Sequence, residues 1–107
     1  MQVEGLWSVA FATRMGANYG VVYFDGDRLI GGDSAFFWTG TVKQDGNDLR
    51  AELQARTHSG QPVLTIFGNS SSSFSVELRG SLPTSTEVGS TITVSGSGLT
   101  AKLTRRQ

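Results

Sequence analysis

The chain has 107 residues, with nine basic and nine acidic residues, a formal net charge of +0, 14 glycines and no cysteine. This length suits a single domain over residues 1–107 with one hydrophobic core, and the lack of cysteine excludes disulfides and thiolate metal sites. The balanced charge argues against direct binding to nucleic acid or to an anionic membrane surface.

The composition is typical of an all-β protein. There are 13 Ser and 11 Thr beside the glycines, and no window shows the apolar spacing of an amphipathic helix. No apolar run approaches the roughly 18 residues that span a bilayer. Arg14 is the first basic residue, so the N-terminus lacks the basic segment of a secretory signal. We therefore expect a cytoplasmic protein without a membrane segment.

The N-terminal half alternates apolar strands with turns that contain glycine. In chain order, strands are predicted over residues 3–13, 19–24, 28–30, 36–43 and 49–56. The last of these is the clearest, because every second residue from Leu49 to Ala55 is apolar, as in a strand with one face in a core. Asp-Gly pairs at 25–26 and 45–46 favour tight hairpins.

The C-terminal half continues the same pattern. A loop is predicted over residues 58–62, a short apolar strand over 63–67, a mobile turn over 68–73, and three further strands over 74–79, 92–94 and 99–104. Eight or nine antiparallel strands with short connections close most economically into an eight-stranded up-and-down barrel, because closure removes free strand edges. A two-sheet sandwich is the alternative.

Large residues dominate the side chains expected inside this barrel. They are Trp7, Val9, Phe11, Leu53, Phe74, Val76, Leu78, Ile92, Val94 and Leu103. In an eight-stranded barrel, side chains of this size should nearly fill the interior and leave little room for a ligand.

No group of residues points to catalysis or to a cofactor. His58 is the only imidazole, so neither a zinc site nor a Ser-His-Asp triad has support. The aspartates nearly all neighbour glycine, where short acidic side chains stabilise turns. The glycine-rich segments lack the spacing of a nucleotide-binding loop. We expect no catalytic residues, no metal and no cofactor.

Gly31, Gly32 and Asp33 interrupt the pattern between two predicted strands. We expect the glycines to permit a tight reversal of the backbone, and the Asp33 carboxylate to accept an N–H bond from a following residue such as Ala35. The alternative is a binding site for a partner or a ligand.

Aromatic residues occupy both faces of the N-terminal strands. Phe36 and Trp38 project to one side and Phe37 to the other, while Tyr19 and Tyr23 form a similar face on the predicted strand over residues 19–24. A barrel interior covers only one face, so the other should contact a second copy of the chain or be covered by a loop. The sequence leaves open which face is outward, and all five residues are candidates for a dimer surface.

Three segments carry a resemblance to a known family: GLWSVAF (5–11), YGVVYFDGDRLIGGDSAFFWTG (19–40) and GLTAKLTRR (98–106). The most specific part is an acidic turn followed by Gly31-Gly32-Asp33, Trp38 and Gly40. These segments resemble the GrlR family, small bacterial proteins named for a negative regulator of type III secretion. The resemblance implies a calycin-like, eight-stranded barrel that dimerises through a hydrophobic surface.

The named regulator of that family binds a transcriptional activator through a Glu-Asp-Glu-Asp run in a hairpin. The corresponding hairpin here contains Asp45, Gly46, Asn47 and Asp48, with two acids in place of four. It is the candidate protein-contact site, suited to a basic surface such as that of a DNA-binding transcriptional regulator. The alternative is an ordinary solvated turn. The activator and the role in type III secretion are therefore not expected to transfer with the fold.

Two classes of function fit this sequence. The first is a non-enzymatic interaction protein, a dimeric barrel that sequesters or modulates another protein. The second is a carrier that holds a small apolar molecule inside the barrel, as calycin-like folds often do. An enzyme is a third class, for which the sequence nominates no residues.

Overall fold

The computed structural model describes residues 2–107, and all regular structure in that range is β-strand. The strands are β1 (Gly5–Thr13), β2 (Gly16–Asp25), β3 (Arg28–Gly32), β4 (Phe36–Asp45), β5 (Asp48–Thr57), β6 (Val63–Leu64), β7 (Ser70–Ser71), β8 (Ser73–Ser81), β9 (Thr91–Gly96) and β10 (Leu99–Arg105). The predicted all-β class is confirmed. Several strands are longer than their apolar residues suggested, since β2 starts at Gly16 and not at Tyr19.

Eight of these strands form a closed antiparallel barrel in the order β1-β10-β9-β8-β5-β4-β3-β2. Strands that follow one another in the chain are neighbours, except that β5 pairs with β8 and passes over β6 and β7. The wall closes where β1 pairs with β10, with Val9 opposite Leu103. The predicted eight-stranded up-and-down barrel is confirmed, and the two-sheet sandwich is excluded.

The antiparallel order gives the barrel two ends with different connections. We call one end the closed end; it contains both termini, the β2–β3 and β4–β5 turns and the 82–90 loop. At the other, the mouth, lie the β1–β2 turn, the 33–35 loop and the 58–72 connection. The largest fully buried side chains belong to the closed end: Val3, Trp7, Leu29, Val42, Leu49 and Ile92.

Arg105 connects the segments that cover the closed end. Its Nη1 donates hydrogen bonds to the carbonyl oxygens of Gln2 at 2.9 Å and Thr86 at 3.0 Å. The guanidinium carbon lies 5.5 Å from the centre of the buried Trp7 ring, within the range of a cation–π contact. One side chain thus joins the N-terminal segment, the 82–90 loop and β10.

The segment between β5 and β8 forms a small hairpin over the mouth, which we call the cap hairpin (residues 63–71). Only Val63 and Leu64 of the predicted 63–67 strand are extended, and they pair with Ser71 and Ser70. Thr65 ends the strand, because its Oγ1 bonds to Asn69 Oδ1 at 2.5 Å and closes a turn. The cap hairpin is attached to the barrel where Thr13 Oγ1 donates to the Ile66 carbonyl oxygen at 2.5 Å.

The predicted break at Gly31 and Gly32 is wrong. Both residues belong to β3 and are paired with β2 on one side and β4 on the other. Neither is among the glycines with a positive φ. A Cβ built at Gly31 would lie 2.2 Å from the Val21 carbonyl oxygen, and one at Gly32 would lie 2.6 Å from the Phe36 carbonyl oxygen. These glycines therefore allow neighbouring strands to approach closely and do not reverse the chain.

Asp33 begins the loop that does reverse the chain. Its Oδ1 accepts the N–H groups of Ala35 at 2.9 Å and Phe36 at 2.8 Å. The backbone supports the same loop, because the Asp33 N–H donates to the Phe36 carbonyl oxygen at 2.9 Å. The expected bond from Ala35 to the Asp33 carboxylate is present, and this side chain fixes the start of β4.

Candidate functional site

A cavity of about 250 Å³ lies inside the mouth half of the barrel. Its walls are aromatic and aliphatic, and include Phe11, Phe36, Trp38, Leu53, Phe74 and Val76. The rings meet edge to face, with centroids 5.4 Å apart for Phe11 and Trp38 and 5.1 Å apart for Phe36 and Phe74. The expectation that large side chains nearly fill the interior is therefore wrong for this half.

Small residues explain why the interior is not full. Ala101 is buried in the cavity wall beside the large rings, and Ala35 lines the cavity from the loop at the mouth. At Gly20 the missing side chain has a different use, since a Cβ there would lie 2.5 Å from the Trp38 ring, which occupies that space. Ala101, an inward residue of β10, is the sequence signal for this space, and a count of bulky residues overlooks it.

The cavity opens toward solvent at the mouth. Gly16, Ala17 and Asn18 on one side of the opening are exposed, and so is Leu64 of the cap hairpin. Leu64 is 76% exposed while it lines the cavity. An apolar residue at the edge of an apolar cavity favours entry of an apolar molecule, because such a molecule would cover it.

Three polar side chains line the cavity, and each of them makes a hydrogen bond within the chain. Asn18 Oδ1 accepts the Tyr19 N–H at 2.8 Å, and Thr65 is bonded within the cap hairpin. The third, Asp33, is half-buried and uses only Oδ1 in the loop described above. Its Oδ2 has no hydrogen bond within residues 2–107. Asp33 is the one ionisable group among the lining residues that the structure describes.

His58 lies near this opening but does not line the cavity. Its Nε2 is 3.0 Å from the Asp33 carbonyl oxygen, and its ring lies 5.9 Å from that of Phe37 on the outside of the barrel. It therefore contacts the Asp33 backbone and not the carboxylate. Within the described part of the chain, no three His, Cys, Asp or Glu side chains converge to hold a metal.

A second feature lies on the outer face of β2, β3 and β4. We define the outer apolar patch by its exposed members: Tyr19, Val21, Tyr23, Ile30 and Phe37. The sheet register makes it continuous, since Val21 pairs with Gly32, which pairs with Phe37, and Tyr23 pairs with Ile30. The remaining exposed large apolar residues among residues 2–107, which are Met15, Leu64 and Val88, lie outside the patch.

The structure divides the five aromatic candidates between the two faces. Tyr19, Tyr23 and Phe37 are outward, whereas Phe36 and Trp38 are 5% and 7% exposed and belong to the cavity wall. A sequence signal could have resolved this choice. The two-residue turn at 46–47 pairs Trp38 with Ala55, whose inward orientation followed from the alternation of β5.

The candidate hairpin at 45–48 is a tight turn at the closed end, far from the cavity mouth. Asp45 pairs with Asp48, Gly46 has a φ of 60°, and all four residues are exposed. A positive φ at the first central position is typical of a type II′ hairpin turn. The Asn47 carbonyl oxygen accepts the Leu82 N–H at 2.7 Å, so the turn is held against the 82–90 loop.

A scan against protein-family models and a search of curated proteins both find no match. Among residues 2–107, no helix is long and apolar enough to cross a membrane.

Proposed function

We propose that this protein is a non-enzymatic interaction barrel that forms a homodimer through the outer apolar patch and regulates another protein in the bacterial cytoplasm. The observation that carries the proposal is the patch itself. Its five apolar side chains are between 39% and 75% exposed on three neighbouring strands. Contiguous apolar surface of this kind marks interaction sites. The resemblance to the calycin-like GrlR family supports the same proposal.

The border of the patch fits a second copy of the chain. The next outward row toward the closed end lies beside Tyr23 and Ile30 and contains charged residues. In this row Asp25 on β2 pairs with Arg28 on β3, and Glu52 on β5 lies one strand further, beyond β4. A border with both signs of charge can be self-complementary when two copies meet around a two-fold axis. A regulatory partner of uniform charge would match this border less well.

The turn at 45–48 is the part of the proposal that concerns a different partner. Asp45 and Asp48 are exposed, and Asp27 and Glu4 lie near Asp45 on the same end of the barrel, together with Lys43. Exposed carboxylates mainly raise the association rate with a basic surface and fix its orientation. A transcriptional regulator with a basic DNA-binding surface has the required charge.

The dimer is tested by charge substitution in the patch. We expect the wild-type chain to sediment as a dimer at micromolar concentrations, and Tyr23→Glu and Phe37→Glu to sediment as monomers, because a buried unpaired carboxylate costs several kcal/mol. Val88→Glu is the matched control, since Val88 is 69% exposed and outside the patch; it should remain a dimer. A monomeric wild-type chain across the micromolar range would contradict the proposal.

A second function, a carrier for a small apolar molecule, is supported by the cavity. Apolar cavities with few polar groups are the usual form of small-molecule sites, although most are larger, at roughly 300–1,000 Å³. The value of about 250 Å³ here fits a small ligand. The two functions use different surfaces, because the cavity is inside the barrel and the outer apolar patch is outside.

A further inference from the structure

The charge of the cavity lining restricts which apolar molecule can bind there. Among the described lining residues there is no Lys, Arg or His, and Asp33 is the single acid. Carriers of fatty acids need a cation or several donors for the ligand carboxylate, because a buried unpaired carboxylate is strongly unfavourable. A carboxylate ligand would instead meet a second negative charge here, and like charges in one site disfavour each other.

The geometry of Asp33 favours a hydrogen-bond donor. Its Oδ1 is occupied by the N–H groups of Ala35 and Phe36, while Oδ2 is without a partner in the described chain. A ligand ammonium group can donate to Oδ2, and a charge-assisted bond of this kind is stronger than a neutral one. Asp33 lies at the mouth and is only half-buried, so the ammonium group would keep part of its hydration.

The size of the cavity limits the apolar part of the ligand. A cavity of about 150 Å³ holds the six carbons of benzene, which corresponds to roughly 25 Å³ for each non-hydrogen atom. The volume of about 250 Å³ therefore fits one aromatic ring with a short chain. The edges and faces of Phe11, Trp38 and Phe74 suit a ring, since aromatic groups prefer edge-to-face contact.

We propose that the cavity binds a small apolar amine, with its ring or chain among the aromatic walls and its ammonium group on Asp33 Oδ2, and that it excludes the corresponding carboxylate. This inference rests on the carrier function and adds the chemical class of the ligand. It is independent of dimer formation.

The test compares three probes of equal length: phenylbutylamine, phenylbutanol and phenylbutyrate. Titration calorimetry at low ionic strength should give one site per chain, with the amine about tenfold or more tighter than the alcohol and with phenylbutyrate weakest. Asp33→Asn keeps an oxygen for the N–H groups of Ala35 and Phe36 and removes the charge. It should abolish the preference for the amine. Asp27→Asn makes the same charge change at the closed end and should leave the preference intact.

A further variant separates the inference from the carrier function. Ala101→Leu places extra side-chain volume in the cavity and should weaken all three probes, with circular dichroism to confirm that the barrel is folded. Equal binding of the three probes, or an amine preference that survives Asp33→Asn, would overturn the proposed ligand class but keep the carrier. Binding of none of the probes to the wild-type chain, or equal binding to Ala101→Leu, would overturn both.

Discussion

Thr57 is a residue whose chemistry conflicts with its position. It is 4% exposed at the end of β5, and its Oγ1 has no hydrogen-bond partner within residues 2–107. Burial of an unpaired hydroxyl costs about 1–3 kcal/mol. Thr65 provides a comparison in the same molecule, because it is also 4% exposed but its Oγ1 is bonded to Asn69.

Replacement of these two threonines by valine should change stability in opposite directions. Thr57→Val removes an unpaired polar atom with little change in shape, and should raise the free energy of unfolding by about 1 kcal/mol. Thr65→Val leaves the Asn69 side-chain oxygen without its donor, and should lower it by about 1 kcal/mol. Denaturant titration of both variants measures the difference. A loss of stability in Thr57→Val would mean that its hydroxyl has a partner.

At the scale of one element, the pairing of β3 with its two neighbouring strands depends on glycine residues. Gly31 lies between β2 and β4, where the Val21 carbonyl oxygen occupies the space of a Cβ. Gly16, at the start of β2, has no atom within 4 Å of the same position, and its φ is not positive. The same substitution at the two sites therefore isolates the effect of close approach between strands.

Gly31→Ala should destabilise the barrel and Gly16→Ala should not. The added methyl at Gly31 forces β2 and β3 apart, and overpacking of this kind costs about 1–3 kcal/mol or more. Gly16→Ala should be neutral or slightly stabilising, because alanine reduces the freedom of the unfolded chain. Thermal unfolding of the two variants is the measurement. Equal melting temperatures would show that the strands can separate without cost.

Sequence pattern predicted the elements better than it predicted the site. The alternation in β5 placed Leu49 and Ala55 inward, where both are at most 2% exposed. The sequence pattern gave the wrong end for β3. A glycine that is needed because a neighbouring carbonyl leaves no room for a Cβ cannot be distinguished, from sequence alone, from a glycine that is needed in a turn. The pattern also failed for the cavity, because an empty volume depends on how inward residues from distant strands meet. Asp33 is identified from sequence as a turn residue, which its bond to the Ala35 N–H confirms, and a ligand site is only the alternative there.

The whole molecule has a tightly packed end and an open end. Trp7 and Val3 are 0% exposed at the closed end, and the Trp7 Nε1–H donates to the Val3 carbonyl oxygen at 2.8 Å. The mouth has the cavity and the cap hairpin, whose ladder consists of two residue pairs. Local opening occurs where few contacts must break. Although Ile66 and Phe67 pack against the core, we expect the cap hairpin to open while the eight-stranded wall stays intact.

Amide hydrogen exchange should be faster in the cap hairpin than at the closed end of the barrel. Amides of the cap hairpin should exchange through local opening, whereas amides of β1 and β5 near the closed end should exchange only on global unfolding. Thr13→Val removes the hydroxyl that donates to the Ile66 carbonyl oxygen, and should speed exchange in the cap hairpin several-fold without changing the closed end. Thr100→Val, an exposed threonine on β10, is the matched control and should leave both rates unchanged. If Thr13→Val accelerates the closed end as much as the cap hairpin, then the hairpin unfolds only together with the barrel and entry to the cavity requires another route.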